Sequence, residues 1–359
     1  MEPGTEDIRF ADKLQHAVAS FLFKLPHSVQ VKLSGKPPIV RAGLTLHPEL
    51  QLLLSIRERK KTPGFSALPH AKTRVLSRRE AIVHAGTRIE VKSVRDLEVD
   101  GGGGPVMARH YAPENVGNDP APLLVFFHGG GFVIGDLDTY DPLCRLLCRH
   151  AGVHVLSVDY RLAPEHPFPA AVEDVRASYL WATQHAAELG AHPSRIAVGG
   201  DSAGGNLSAV LAQLMKAEGG PTPAAQLLMY PAIDRTKRRP SMEHFADGFF
   251  LTQADIEWFQ NHYVGATNVH ADPRIAPLRF KDLKGLPPAI VVTAGFDPLR
   301  DEGEEYADVL KAAGVPVVQR RFENLIHGFA NMTGLSPACR EATIEVAGAL
   351  RALLSTAAH

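Results

Sequence analysis

Cysteine is scarce in this chain: Cys144, Cys148 and Cys339 are its only 3 in 359 residues. An odd number of cysteines does not build a disulfide framework. Cys144 and Cys148 are spaced as two buried positions on one helix face, and a reactive thiol would need an electropositive setting that the sequence does not announce. Net charge is equally sparse. With 38 Lys+Arg against 39 Asp+Glu the formal balance is −1, which excludes the broad basic face of a general nucleic-acid binder. It also gives no electrostatic reason to favour ionic substrates and suits an uncharged one. No apolar run approaches the ~18 residues of a membrane span, and the start Met1-Glu2-Pro3-Gly4 lacks the basic residues and apolar stretch of a signal peptide. A cytoplasmic location is the expectation. Neither a His-Glu-x-x-His segment nor paired Cys-x-x-Cys occurs, so no metal mechanism is indicated.

What is present is an apolar fraction of 45%, enough for a large core. Leu14, Ala17, Val18, Phe21, Leu22 and Leu25 have the spacing of an amphipathic helix that Pro26 ends. Leu50, Leu52, Leu53, Leu54 and Ile56 predict another. These helices either pack on the core or cover a site. Arg57 to Lys61 reads as a solvated helix end or linker, and Arg235 to Arg239 as an exposed loop before Pro240.

The pattern changes near residue 85. Strand-like segments 89–99 and 106–111 flank Asp100-Gly101-Gly102-Gly103-Gly104-Pro105, a hairpin signal. This glycine run does not open a helix, as a phosphate-cradling loop should. Apolar strands at 123–127, 154–158, 195–198, 226–229, 289–293 and 317–322 then alternate with helical stretches at 142–150, 170–189, 204–216, 302–313 and 337–354. With the hairpin this predicts an α/β fold: a mostly parallel eight-stranded sheet with helices on both faces. Residues 232–286 break the rhythm and read as an insertion containing a helix near 255–263. The expected organisation is a helical cap region at 1–80 and a catalytic domain at 81–356, with the insertion contributing to the cap.

Chemistry concentrates where strands end. Strand 195–198 runs into Gly200-Asp201-Ser202-Ala203-Gly204, and a helical pattern with Leu207, Val210, Leu211 and Leu214 follows at once. In that strand–turn–helix setting Ser202 is a candidate nucleophile, with glycines two before and two after it keeping other side chains out of the way. Asp201 occupies the place of the second glycine of a dinucleotide fingerprint and excludes that reading. A serine needs a base, and the base an orienting acid. Asp297 follows strand 289–293 and His327 follows strand 317–322, so acid and base come in the order Ser, Asp, His, on one rim of the sheet. Asp301 and Glu302 are rival acids, but they lie a turn into the next helix and should point away. Strand 123–127 ends in His128-Gly129-Gly130-Gly131-Phe132, whose glycines free backbone N–H groups to face an oxyanion.

These segments, with Asp297-Pro298-Leu299-Arg300-Asp301, His327-Gly328-Phe329 and the proline-rich stretch from Asp159-Tyr160-Arg161 to Pro169, resemble the hormone-sensitive-lipase family of α/β-hydrolase esterases over roughly residues 75–355. The Gly-Asp-Ser-Ala-Gly form resembles the branch named for it. The resemblance implies an α/β-hydrolase fold and a serine carboxylesterase acting on short- to medium-chain acyl esters without a cofactor. Ser202, Asp297 and His327 would form the triad; Gly130, Gly131 and Ala203 would supply the oxyanion-hole N–H groups. It also implies a homodimer formed through an edge strand. Phe132, Tyr230, Phe249, Phe250, Leu251 and Phe329 are candidates to line the substrate pocket. The stretch from Tyr160 to Pro169 reads as a rigid loop bracing the site, with Arg161 and Glu165 paired. The elbow and oxyanion loop serve all acyl transfers, so an amidase, a true lipase or a peptidase shares these motifs. A non-catalytic receptor on the same fold would lack a histidine at 327. The choice of acid is testable: Asp297→Asn should lower kcat on a short nitrophenyl ester far more than Asp301→Asn, and the reverse order would move the acid to Asp301.

Overall fold

The computed structural model describes residues 10–114, 120–265 and 269–356, with backbone alone at 10–16 and 356. The N-terminal part is helical: α1 (Phe10–Phe23), α2 (His27–Ser34), the small hairpin β1–β2 (Val40–Arg41 and Leu44–Thr45), α3 (Pro48–Arg59) and α4 (His70–Ala85). Next come β3 (Ser93–Val99), β4 (Val106–Ala112), β5 (Ala121–Phe127), α5 (Leu137–Ala151), β6 (His154–Val158), α6 (Ala170–His185), β7 (Ala191–Asp201), α7 (Ala203–Glu218) and β8 (Gln226–Met229). The segment after β8 carries α8 (Pro240–His244) and α9 (Gln253–Tyr263). The chain closes with β9 (Ala289–Phe296), α10 (Arg300–Ala312), β10 (Val317–Ile326) and α11 (Pro337–Thr356).

The strands form one 8-stranded sheet in the order β10-β9-β8-β7-β5-β6-β4-β3. β4 is antiparallel to both β3 and β6, and every other pairing is parallel. Side chains alternate across the sheet. In β5, Leu124 and Phe126 join one core with Leu143 and Leu147 of α5 and Leu350 of α11, while Leu123, Val125 and Phe127 join the opposite core with Val175 of α6 and Leu211 of α7. This is the two-sided burial that makes parallel strands read as unbroken apolar runs. Parallel strands also share a direction, so β5, β7, β9 and β10 all deliver their C-terminal loops to one rim.

Element ends differ from expectation where capping overrides composition. α5 begins at Leu137 rather than at Pro142, because Asp136 accepts a hydrogen bond from Thr139 N (2.7 Å) and Thr139 Oγ1 accepts one from Asp136 N (2.8 Å). This reciprocal cap fixes the first turn, and Pro142 sits inside the helix.

Three expectations are corrected. The expected face of α1 is not a buried stripe: Val18 and Phe21 are 52% and 66% exposed, whereas Phe23 enters the core with Ala19 and Leu22 packed against it. Leu14 lies outside the residues whose side chains are described. The segment from Arg235 to Arg239 is not wholly exposed. Arg239 is buried, donating to Asp234 O (2.6 Å) and to Glu305 Oε2 (2.7 Å). Arg161 and Glu165 do not pair. Arg161 holds Asp174 through Nε and Nη2, and Glu165 is held by Arg74. In α3, by contrast, the apolar cluster is confirmed, with Leu50, Leu52 and Leu53 buried in the same core as α5 and α11. Leu50→Ala should therefore lower the unfolding free energy by about 2–5 kcal/mol, read as a shift of the urea midpoint; a change under about 0.5 kcal/mol would show that α3 is only a loose surface helix.

Candidate active site

The sharp turn between β7 and α7 holds Ser202 at φ 53°, ψ −113°. An L-residue held there stores about 1–3 kcal/mol of strain and persists only where its surroundings over-determine it. Those surroundings are visible. Ser202 N donates to Met229 O at the end of β8 (2.8 Å), and Asn206 N donates to Ser202 O (3.0 Å). The turn also presses on β5: a Cβ at Gly204 would lie 1.8 Å from Phe127 O, and one at Gly200 would lie 2.2 Å from the same oxygen. Only glycine fits at either place.

The serine hydroxyl faces a histidine. His327 Nε2 lies 3.0 Å from Ser202 Oγ, and His327 Nδ1 lies 2.8 Å from Asp297 Oδ2. The other carboxylate oxygen of Asp297 accepts from Leu299 N (2.8 Å), so the acid is fully buried and fixed in rotation. The rival acids face elsewhere. Asp301 accepts from Ser241 N (2.7 Å) and Glu302 from Ile233 N (2.7 Å).

The loop after β5 completes the rim. Gly130, Gly131 and Phe132 have φ of 106°, 61° and 65°. Val133 N and Ile134 N both close onto Gly130 O. A Cβ at Gly131 would lie 2.3 Å from the Phe259 ring, so this position needs glycine both for its positive φ and for its contact. Gly130, Gly131 and Ala203 all face the same cavity as Ser202. The proline-rich stretch steadies this loop. Tyr160 stacks on the buried His128 ring (4.3 Å) and donates to His128 O (2.7 Å), and Ala163 N donates to Phe132 O (2.9 Å).

Asp201 ties these parts together, and no motif singled it out for that role. Its Oδ1 accepts from Gly129 N (2.7 Å), and its Oδ2 accepts from Tyr140 Oη (3.2 Å) and Asn331 Nδ2 (3.1 Å). One carboxylate thus links the elbow, the oxyanion loop and the segment following His327. Burial pushes its pKa up to about 6, against the lowering effect of Gly129 N–H and the His327 ring.

The cavity over Ser202 is largely apolar. Phe132, Phe250 and Leu251 line it, together with Phe65, Phe259 and Tyr263. Phe132 stacks on Tyr263 at 3.8 Å between ring centroids. Tyr230, Phe249 and Phe329 stand behind the wall instead. Tyr230 packs on His327 (4.9 Å) and on Phe329 (5.2 Å), and Phe249 on Phe296 (5.2 Å). Helix α4 adds Glu80 and His84 to the lining, and Arg57, which bonds Glu80 (2.6 Å), lies over the Phe250 ring. The cysteines are all buried and outside the cavity lining, with their thiols pushed up by burial. Among the described residues, His27, His47 and Glu49 form the one trio of ligand-type groups within 4.8 Å of one another. It lies outside the cavity, and its Glu49 already accepts from Ser336 Oγ and Ala338 N.

The sheet order, the elbow and the Ser–His–Asp hydrogen-bond chain define an α/β-hydrolase, and the chain belongs to that family. Residues 124–331 match the family described as the alpha/beta hydrolase fold, in the branch of hormone-sensitive-lipase-like esterases. The chain is 50% identical to the carboxylic ester hydrolase LipN of Mycobacterium tuberculosis, over 98% of each chain. It is 34% identical to the ethyl acetate hydrolase of Pseudomonas putida, covering 86% of this chain and 99% of that one. Among solved structures it is similar to an ester hydrolase from the metagenome of Lake Arreo, solved with a bipyridine phosphonate derivative, at a TM-score of 0.82 and 40% identity over 86% of this chain and 98% of that one.

The raised pKa of Asp201 has a signed consequence. Between about 4 and 6 the folded protein keeps a proton on this carboxyl that the unfolded chain, titrating near 3.8, has released. Asp201 therefore makes stability fall as pH rises through that window. Asp201→Asn removes the titration. The difference in unfolding free energy, wild type minus variant, should fall by about 2 kcal/mol from pH 4 to pH 7; a flat difference would show that Asp201 titrates normally.

Proposed function

We propose that this protein is a serine carboxylesterase in which Ser202 is the nucleophile, His327 the general base and acid, and Asp297 the orienting acid. The hydrogen-bond chain from Ser202 Oγ through His327 to Asp297 Oδ2 carries the reading. Ser202 Oγ attacks the ester carbonyl carbon while its proton passes to His327 Nε2. The backbone N–H groups of Gly130, Gly131 and Ala203 take up the charge that develops on the carbonyl oxygen, a contribution of about 3–4 kcal/mol per donor in such sites. The tetrahedral intermediate collapses, His327 protonates the departing alkoxide, and an acyl group remains on Ser202. A water then gives its proton to His327 and attacks the acyl carbon, releasing the acid and restoring the serine. Asp297 stays ionised throughout and supports the imidazolium.

The strained backbone of Ser202 favours this role, since strain of this kind gathers at functional residues. The apolar cavity wall of Phe132, Phe250 and Leu251 suits the acyl or alcohol chain of a short- to medium-chain ester. In this reading residues 1–80 and 232–286 act as the cap over a catalytic domain at 81–356, which accords with Phe65, Phe250 and Phe259 all facing the cavity. No helix among the described residues is long and apolar enough to cross a membrane. We take the enzyme to work in the cytoplasm, with the edge strand β10, where Val318 is 48% exposed, as the surface for a homodimer. Ser202→Ala should lower kcat on 4-nitrophenyl butyrate by a factor on the order of 10⁴ or more while the melting temperature stays within a few degrees. Substantial turnover by a folded Ser202→Ala protein would overturn the assignment.

A further inference from the structure

The near-neutral net charge conceals a strong separation along the chain. Residues 17–88 carry 13 Lys+Arg against 3 Glu and no Asp, a balance of +10, so the remainder of the chain stands at −11 to give the total of −1. Such asymmetry points to a charged surface as partner and carries no information about the fold. The same segment holds most of the exposed apolar side chains. Eight large ones are exposed among the described residues, and six of them, Val18, Phe21, Val29, Leu33, Val40 and Val75, lie within it. Single exposed apolar residues need no explanation, but a concentration of them marks an interaction surface.

These groups are ordered on helix faces. Helix α2 has its polarity reversed: it buries Gln30 and Ser34 and exposes Val29 and Leu33. Gln30 Nε2 donates to Phe23 O (2.8 Å) and Leu25 O (2.9 Å), and Ser34 Oγ accepts from Gln51 Nε2 (2.8 Å), so the polar side is fastened to the end of α1 and to α3. Lys32 shares the outer face with Val29 and Leu33. In α1 the exposed Val18 and Phe21 are followed at the same spacing by Lys24. Helix α4 packs on α1 and exposes Lys72, Val75 and Arg79, again three and four residues apart. Its opposite side brings Ser77, Glu80, Ala81 and His84 to the cavity, so α4 carries the active-site ceiling on one side and this face on the other. Lys24, Lys32 and Lys72 are exposed and make no ion pair among the described residues.

We propose that the outer face of α1, α2 and α4 docks this protein on a lipid surface with anionic headgroups. Val18, Phe21, Val29, Leu33 and Val75 enter the boundary between headgroups and acyl chains, and the lysines meet the headgroups. A lysine stem lies along an apolar boundary while its charge stays in water, which suits apolar and basic residues mixed on one face. Each lysine brought near an anionic surface strengthens binding about fivefold. The attachment is peripheral and reversible, since no helix among the described residues is long and apolar enough to cross a membrane. A second copy of this chain does not suit the face. In a two-fold dimer the patch would meet itself, setting one balance of +10 against another. The inference goes beyond the esterase reading and does not depend on it.

The test is co-sedimentation of the full chain, at low ionic strength, with vesicles of phosphatidylcholine alone or with about 30% phosphatidylglycerol added. The wild type should bind the anionic vesicles at least about tenfold more tightly than the neutral ones, and about 0.5 M NaCl should release it, because such attraction is then screened. Combining Lys24→Glu, Lys32→Glu and Lys72→Glu should weaken binding about 100-fold or more. Combining Val18→Ser with Phe21→Ser should weaken it about tenfold. Both variants should hydrolyse dissolved 4-nitrophenyl butyrate as the wild type does. No binding to either vesicle, equal binding to both, or binding that neither variant weakens would overturn the proposal; the first two read out on the wild type alone. A dimer that Val18→Ser with Phe21→Ser dissociates in the absence of lipid would also overturn it, making the face a contact between copies. A wild type that binds anionic vesicles but does not hydrolyse 4-nitrophenyl butyrate would overturn the esterase reading and support this one.

Discussion

The backbone conformation of Ser202 is the constraint around which the rest of the molecule is arranged. A side chain at φ 53° does not hold itself there. It is held because β7 enters the turn while paired to β5 and β8, and α7 leaves it at once along the opposite core. Gly200 and Gly204 allow Phe127 O to approach closer than any Cβ would permit. That contact brings the end of β5, and with it the oxyanion loop, against the elbow. Packing of strand on helix therefore sets the distance between nucleophile and oxyanion donors, and no separate device is needed to align them. The acid and base arrive by the same logic, since β9 and β10 run parallel to β7 and end on its rim.

Asp201 shows the electrostatic cost of that alignment. A fully buried carboxylate is disfavoured by desolvation, and its raised pKa records this. The cost is offset by N–H and O–H donors from three separate segments: Gly129, Tyr140 and Asn331. Apolar packing alone would let these segments slide, because it is not directional. A charged acceptor with short bonds fixes their relative position.

Much of the site was legible in the sequence because its elements are local. A glycine-flanked serine between an apolar strand and an amphipathic helix, or a glycine run after a strand, is specified within a dozen residues. Strand ends also report the shared rim through the parallel topology alone. What stayed illegible depends on contacts across the chain. The outward face of α1 could not be read from periodicity because Val18 and Phe21 continue an apolar pattern that the tertiary structure leaves exposed. Tyr230, Phe249 and Phe329 are aromatic, yet they fill the core behind the triad, where aromatic packing is equally favourable. Arg235 and Arg239 sit in one basic run, and only the fold sends one to Glu305 and the other to the cavity. The start of α5 turned on a single reciprocal cap at Asp136 that a proline masked.

The ceiling of the cavity is made differently from its floor. It draws on α4 and Phe65 from one end of the chain and on α9 from the segment after β8. These pieces are joined by Asp255. Its Oδ1 accepts from Ser66 N and Ser66 Oγ, both at 2.8 Å, while its Oδ2 accepts from Thr252 Oγ1 (2.7 Å) in the cap of α9. Phe65, beside Ser66, then meets Phe250 and Phe259 at 5.6 Å each. The triad's hydrogen bonds run to β8, α7, the turn before α10 and, through Ala232 N to Ser202 O (3.2 Å), the start of the segment after β8. The segment after β8 is joined to the floor as well, since Asn206 Nδ2 on α7 donates to Ala232 O (2.7 Å) and Ile275 O (2.8 Å). The reacting groups keep their geometry through the sheet, and the shape presented to a substrate is set largely by residues of the ceiling, Phe65 and Phe259 among them, that make no hydrogen bond to the triad.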